Sequence, residues 1–396
     1  MKIVKISILE AKTTRPQWRP VFCRIYTDEG IYGDGEAALA YGNAASAAFA
    51  QIREFAPLIL GQDPINTEKI WEKLFRTTFW AQNGGPVVYA AISALDIALW
   101  DIKGKILNQP VYNLLGGATR TKIHSYASQL QLSWTWDAPN YISMSTPEDF
   151  AKSAELAVED GFDTIKFDFF SRKPCDDPSY FTYEEKKSYL TKEQSKILES
   201  RLKAVRNAVG KNVDIIIESH SNMEAFGAIQ FAEIMKKYDV LFYEEPNTPV
   251  AHLTKQVQAH TSVPIAGGER IYTRWQFIPF FESHALQVIQ PDIGNCGGYT
   301  EVKKICDMAA AYEIGVQPHI CASQLSTSIA LHLEAVIPNF FIHEYHVSNL
   351  MKFNQGLTTV EPRPQNGYLA LPEGPGLGNE ISSFAFKHAA MHAIVN

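Results

Sequence analysis

The chain of 396 residues contains no run of 18 or more apolar residues, and Met1 to Pro16 alternates polar and apolar positions. The first absence excludes a membrane-spanning helix, and the second excludes the apolar core of a secretory signal, so a cytoplasmic protein is expected. Cysteine is sparse: Cys23, Cys175, Cys296, Cys306 and Cys321 are odd in number, widely spaced and free of CxxC pairs. Neither a disulfide framework nor a zinc ribbon is indicated, and the thiols are expected to be reduced. Basic charge is not concentrated anywhere; the net charge is -7 with Lys and Arg scattered. That excludes the basic face a nucleic-acid partner needs and leaves a small molecule as the expected ligand. No low-complexity tract or linker interrupts the chain.

What is present is a large globular core, with 46% apolar and 20% charged residues. The length suits one barrel plus a smaller domain. The opening, MKIVKISILEAKTT and VFCRIYTDEGIYGDGEAAL, alternates as strands do, with a tight turn at Asp28-Glu29-Gly30. From Ala44 the apolar spacing becomes helical, through NTEKIWEKLFRTTF and PVVYAAISALDIALWDIKGKI. Residues 1–120 are therefore expected to form an α+β capping domain, ending near the LLGG of Leu114 to Gly117. Beyond it eight short apolar runs alternate with helical stretches: IHSYAS, DTIKFD, VDIIIES, VLFYEE, VPIAGGE, LQVIQPD, GVQPH and FFIHE. Eight strands separated by helices imply parallel pairing and a closed α/β barrel over 121–365. Residues 366–396, rich in Gly and Pro before a short helix, are expected to leave the barrel and return to the first domain.

At the carboxyl ends of these runs stand Lys166, Glu218, Glu244, Glu269, Asp292, His319 and Glu344, and from Glu218 onward they recur every 23 to 27 residues. One βα unit has about that length, roughly 25 to 30 residues, so each unit delivers one polar side chain to the same end of the barrel. Glu218, Glu244 and Glu269 end three consecutive strands. Three carboxylates brought together repel unless a cation lies among them, and ligation by oxygen alone selects a hard ion, Mg2+ before Zn2+ or iron. Any one of them alone is more readily a solvated loop carboxylate; their common spacing favours the metal site. Glu245, next to Glu244, points the other way, toward a supporting contact.

The chain resembles the enolase superfamily, specifically the mandelate racemase branch and its galactonate dehydratase-like acid-sugar dehydratases. The resemblance covers nearly the full length. It rests on GGPVVYAAISALDIALWDIKGK, EEP at Glu244, PIAGGER ending in Glu269-Arg270, QPDIGNCGGYTE around Asp292, PHICAS around His319 and HEYH around Glu344. It implies a modified (β/α)7β TIM-like barrel under a capping domain, one Mg2+, and removal of the proton α to a carboxylate to give an enediolate stabilised by the metal; the Lys or His base with Mg2+ is the general pattern of that superfamily. It also implies a homo-oligomer in which capping loops meet neighbouring subunits. His319 fits the base, with Asp292 fixing its tautomer and raising its basicity. The plainer reading of His319 is a structural histidine at a strand end.

Where family racemases carry Lys-x-Lys, this chain reads Lys166-Phe167-Asp168, which removes the second lysine base. Lys166 is assigned to the substrate carboxylate, with a snorkelling lysine as the alternative. Asp168 is assigned to orienting Lys166 or binding a substrate hydroxyl. Glu218-Ser219-His220 matches the acid-x-His of galactonate dehydratase-like members, with Glu in place of the usual Asp. Period-two geometry would put Glu218 and His220 on one face, and His220 is the expected general acid for the leaving 3-hydroxyl. Glu344 is assigned to the enediolate as a protonated hydrogen-bond donor, with His343 packed inward and His346 either reaching substrate or standing as a loop histidine with no role. Arg270 is a further substrate contact, as are Arg15 and Trp18, beside Arg19, on one capping loop and Trp80 and Asn83, beside Gln82, on another. Residues 171–194 form an insertion expected near the mouth. The resulting expectation is an acid-sugar hydro-lyase giving a 2-keto-3-deoxy product. Epimerisation at the α-carbon, a catalytically silent binding protein on the same fold, and metal-dependent hydrolysis are the alternatives.

Overall fold

The computed structural model describes residues 1–142, 144–170 and 188–396. The first strands are β1 (Ile3–Ala11), β2 (Val21–Thr27) and β3 (Tyr32–Ala37), antiparallel to one another. Three helices cover them: α1 (Ala45–Ile59), α2 (Thr67–Thr77) and α3 (Pro86–Leu107). In α3, Pro86 begins the helix where its missing N–H costs nothing, and Asn108 ends it in the left-handed region at φ 50°. Apolar side chains on nearly every face of α3 are explained by its position, buried between the sheet and the rest of the chain.

Eight parallel strands follow: β4 (Lys122–Ser128), β5 (Thr164–Asp168), β6 (Asp214–Glu218), β7 (Val240–Glu244), β8 (Ile265–Gly267), β9 (Val288–Ile289), β10 (Gly315–Val316) and β11 (His343–His346). They pair in sequence order from β4 to β10, β11 lies beside β4, and a bridge from Val316 to Phe340 joins the remaining edges. Each of β4 to β10 is followed by a helix and β11 by short 3-10 turns, which is the (β/α)7β pattern. Helices Pro147–Glu159 and Lys192–Val209 both start at capping boxes, Thr146 with Asp149 and Thr191 with Gln194, so local chemistry sets where they enter the barrel wall. Tyr126, Ile216, Phe242, Ala266, Val288 and Ile342 fill the barrel interior. Two strands complete the chain: β12 (Tyr368–Ala370) pairs with β4, and β13 (Ala389–Val395) pairs antiparallel with β1.

The sheet of β1 to β3 and the barrel meet through buried polar contacts as well as apolar packing. Asp96 of α3 accepts from the backbone N–H and the hydroxyl of Thr300 at 2.9 and 2.5 Å, and Trp71 donates to the Gly297 carbonyl at 2.8 Å. Cys23, Cys296, Cys306 and Cys321 are buried free thiols. No helix among the described residues is long and apolar enough to cross a membrane. The insertion expectation for 171–194, and Cys175 with it, falls outside the described residues as far as 187; residues 188–191 lead into the helix that begins at Lys192.

Candidate active site

Parallel register assembles the site. Asp168 of β5 lies opposite Glu218 of β6, and Glu218 opposite Glu244 of β7, so three acidic side chains stand in a row at the carboxyl ends. Glu269 joins them from two residues beyond β8. The chain reaches it through Gly268, whose φ of 154° and close approach to the Gln290 backbone, where a Cβ would meet the nitrogen at 2.6 Å, leave no room for a side chain. Oxygens of Glu218, Glu244 and Glu269 all lie within 4.8 Å of one another, and all three residues are buried.

Two atoms of this cluster decide what it can hold. Glu218 Oε1 and Glu244 Oε2 are buried and have no hydrogen-bond partner among the described residues. A buried carboxylate oxygen without a donor is costly, and a hard cation is what offsets it. The residues therefore fit a metal ion. Without one, burial and the neighbouring Glu218 push the Glu244 carboxyl well above the usual range. Burial acts the same way on Glu218, yet His220 and Lys166 outweigh it and hold its carboxyl down at about 2.

Lys166 does not reach toward open space. Fully buried, its Nζ contacts Glu244 at 2.7 Å, Glu344 at 2.8 Å and Glu218 at 3.2 Å, a cation beneath the triad facing three carboxylates. Burial alone would lower its pKa, and the three anions raise it well above normal instead. Glu344 accepts from Ser128 Oγ at 2.5 Å, from Lys166 and from the Ile320 N–H at 3.0 Å. With donors on both oxygens it is held as a carboxylate, which differs from the expected protonated donor.

Histidine–aspartate pairs flank the triad in strand order. On one side His319 Nδ1 lies 2.7 Å from Asp292 Oδ2, with Nε2 3.4 Å from Glu269. On the other His220 Nδ1 lies 2.7 Å from Asp168 Oδ2, with Nε2 3.3 Å from Glu218. The second pair bears on one of the two expectations for Asp168, that it orients Lys166: its Oδ2 faces His220, and its Oδ1 accepts from the Phe170 N–H at 2.7 Å. The route by which His220 arrives also differs from strand alternation. β6 stops at Glu218, and His220 and Ser221 adopt left-handed φ values of 45° and 56°, so a turn rather than the pleat aims the ring. Burial would lower the His220 pKa; Glu218 and Asp168 override it and raise it to about 10.

Around this centre Arg270 binds Glu245 at 2.6 Å and Glu269 at 3.2 Å, and also donates to Ser221 Oγ at 3.1 Å. Arg270 thus bridges Glu269 of the triad to Glu245. Trp18 is buried, stacks between Tyr41 and His346, and donates to Asn354 at 2.8 Å. His346 Nδ1 accepts from the Ser348 N–H at 2.9 Å, leaving Nε2 3.2 Å from the Cys321 sulfur; burial pushes this imidazole down to about 3, so it is neutral. His343 faces away and pairs with Glu334 at 2.7 Å. Arg15 is bound to Asn140 and lies over the Tyr141 ring at 4.5 Å. Arg19 pairs with Glu10. Trp80 is 78% exposed against Phe79, and Asn83 accepts from Gln276 at 3.4 Å; among the described residues neither hydrogen-bonds to the carboxylate cluster.

Gln129 and Gln131 were not among the sequence candidates. Gln129 donates to Glu218 Oε2 at 2.9 Å and accepts from Gln131, whose own oxygen takes the Asp168 N–H at 3.1 Å. Their signal was available: they follow the first barrel run, IHSYAS, the one strand end left without a polar candidate.

Comparisons with known proteins agree with this geometry. Residues 4–116 match the mandelate racemase / muconate lactonizing enzyme N-terminal domain, and residues 149–385 match the enolase C-terminal domain-like family. The chain is 32% identical over 390 residues to D-galactonate dehydratase of Pectobacterium atrosepticum, covering 96% of this chain and 92% of that one. It is 30% identical over 386 residues to D-galactonate dehydratase of Ralstonia pickettii, with the same coverage. A crystal structure of an enolase superfamily member from Salmonella Typhimurium superposes with a TM-score of 0.95 at 43% identity, covering 100% of both chains. Full-length similarity of this kind, over a barrel whose strand ends carry the carboxylates and histidines described above, makes the chain an enzyme of the dehydratase (hydro-lyase) type that belongs to the mandelate racemase / muconate lactonizing enzyme family of the enolase superfamily.

Proposed function

We propose that the protein is a Mg2+-dependent dehydratase of an acid sugar, an aldonate or aldarate, that removes the α-proton and eliminates the β-hydroxyl to leave a 2-keto-3-deoxy acid. One observation carries this reading: a histidine backed by an aspartate stands on each flank of the buried carboxylate triad. The D-galactonate dehydratase relatives support the substrate class. The α-proton of a carboxylate is a weak acid because its removal places a second negative charge on the carboxyl oxygens. Held by Glu218, Glu244 and Glu269, Mg2+ would offset that charge.

The chain's own residues supply the rest. Asp292 holds Nδ1–H of His319, which leaves Nε2 as the atom that takes the α-proton. Asp168 holds Nδ1 of His220 in the same way, and Nε2 of His220 gives a proton to the hydroxyl that leaves from C3. Hydroxide leaves poorly without that proton. The charge of Lys166 beneath the cluster, and the donors on Glu344, keep the carboxylate row in place while charge moves above it. Substrate contacts are assigned to Arg270, Trp18 and His346, and Arg15, Trp80 and Asn83 are kept as outer contacts on the capping loops.

The test is a screen of purified protein with Mg2+ against an acid-sugar library, reading 2-keto product. Water loss from at least one aldonate or aldarate is expected. A second reading, epimerisation at the α-carbon, draws on the same two pairs, because a base on each face is what inversion needs. Exchange of the α-proton for solvent deuterium with inversion and no 2-keto product would replace the first reading with the second.

A further inference from the structure

The base pair is carried by loops, not strands. β9 ends at Ile289, three residues before Asp292, and β10 ends at Val316, three residues before His319, so ladder hydrogen bonds hold neither side chain. Both loops are instead gripped by the end of β3. Glu36 has no exposed surface. Its Oε1 accepts from the Ser323 N–H at 3.0 Å, and its Oε2 accepts from Ser323 Oγ at 2.7 Å, Ser326 N–H at 3.1 Å and Ser326 Oγ at 3.0 Å. Two residues on, the Ala38 N–H donates to the Gly294 carbonyl at 2.9 Å, while the Gly294 N–H donates to Asp292 Oδ1 at 2.8 Å. A Cβ on Gly294 would meet the Ala38 Cβ at 2.6 Å, so the two backbones are in direct contact.

We infer that Glu36, a residue outside the barrel, is a positioning residue for the Asp292–His319 pair, an inference that rests on the reading of His319 as the base. The loop from His319 to Ser323 is tethered at two points, by Glu344 on the Ile320 N–H and by Glu36 on Ser323, one from inside the barrel and one from the neighbouring sheet. Burying a carboxylate is expensive, and an apolar residue would fill the same volume at lower cost. What the carboxylate adds is direction: two oxygens facing four donors fix the helix start, and with it the loop, in one register. Reactions that depend on a base at the right distance lose about 100-fold for a displacement near 1 Å.

Glu36→Gln keeps the shape and loses acceptor capacity, since whichever position its amide nitrogen takes, it cannot accept the backbone N–H there, that of Ser323 or that of Ser326. Two measurements decide the matter. In metal-free, substrate-free protein, hydrogen–deuterium exchange of the peptide spanning 317–326 is expected to rise about tenfold in the variant. On the acid sugar turned over by the parent, kcat for α-proton exchange is expected to fall about 10- to 100-fold, with KM and Mg2+ affinity within about threefold. Unchanged protection of that peptide, or a loss of kcat matched by equal losses in KM and Mg2+ affinity, overturns the inference. If Glu36→Gln does not fold, Ser326→Ala removes one partner of Glu36 and should show the same kcat-only loss at about threefold; an unaltered kcat there overturns the inference too. A parent that exchanges no α-proton on any acid sugar refutes the reading of the site, and the peptide exchange still reports whether Glu36 tethers the loop.

Discussion

Oδ2 of Asp168 lies 2.7 Å from Nδ1 of His220, and this contact determines which ring nitrogen faces the carboxylate triad. Asp168→Asn keeps the size of the side chain but removes an anion that holds the His220 ring protonated, so less of the ring carries the proton it gives. Dehydration should fall about 100-fold, while exchange of the α-proton at His319 survives. Parallel assays of 2-keto product and of deuterium incorporation into recovered substrate measure the two separately; equal losses in both would remove Asp168 and His220 from the elimination step.

The two histidines should fail differently. His319→Asn should lower both turnover and α-proton exchange by at least about 100-fold with Mg2+ still bound, whereas His220→Asn should lose dehydration by a similar factor and keep exchange. Retained exchange in His319→Asn would show that the base lies elsewhere, and unimpaired dehydration in His220→Asn would do the same for the acid.

Metal binding has a readout that needs no substrate. An ion that relieves Glu218 Oε1 and Glu244 Oε2 binds the folded chain and not the unfolded one. Mg2+ at one hundred times its Kd should stabilise the protein by roughly 2.7 kcal/mol, seen as a rise in Tm. Glu244→Gln should abolish that rise; a Tm that responds equally in parent and variant would place the ion at another site.

His332 predicts a pH effect on stability away from the chemistry. It is fully buried, accepts from the Tyr112 N–H at 3.2 Å and lies 3.1 Å from the Leu377 carbonyl, and burial pushes its imidazole from 6.5 down to about 4. Below pH 6.5 the unfolded chain takes up a proton that the folded chain refuses, so this group's contribution is complete above 6.5 and disappears between 6.5 and 4. The loss amounts to roughly 3 kcal/mol across that window. Asp96 and Asp101, which burial raises to about 7 and about 6, act in the opposite direction, so the comparison must be between variants. His332→Gln, which can accept and donate in the same two directions, should flatten the parent's decline in denaturant midpoint between pH 6.5 and 4; parallel curves would contradict the assignment.

The barrel strands and the carboxylate triad are legible in the sequence because they obey short rules. A strand end recurs once per βα unit, and five-residue segments built on Ile, Val, Leu and Phe and closed by an acidic residue mark β5, β6 and β7. The partnerships around the triad are less legible, since each depends on cross-strand register or on a turn. Asp168 meets His220 only because β5 and β6 align Asp168 with Glu218 and the chain then turns left-handed. Lys166 is assigned from the sequence to the substrate carboxylate, but the three carboxylates from three other strands that surround it were not legible there. Glu36 stands in a run, YGDGEA, that gives no hint of a partner 287 residues away.

The pairing of β13 with β1 has a consequence for synthesis. Ser7 Oγ and His392 lie 2.7 Å apart across 385 residues, so the sheet that carries Glu36 lacks its outer strand until after the whole of the barrel sequence has been made. During that interval β1 presents an unpaired edge, and an edge of that kind is a template for pairing with another chain. A nascent chain arrested before Ala389 should therefore self-associate more readily than the finished protein, although every residue of the base and the triad has already been made.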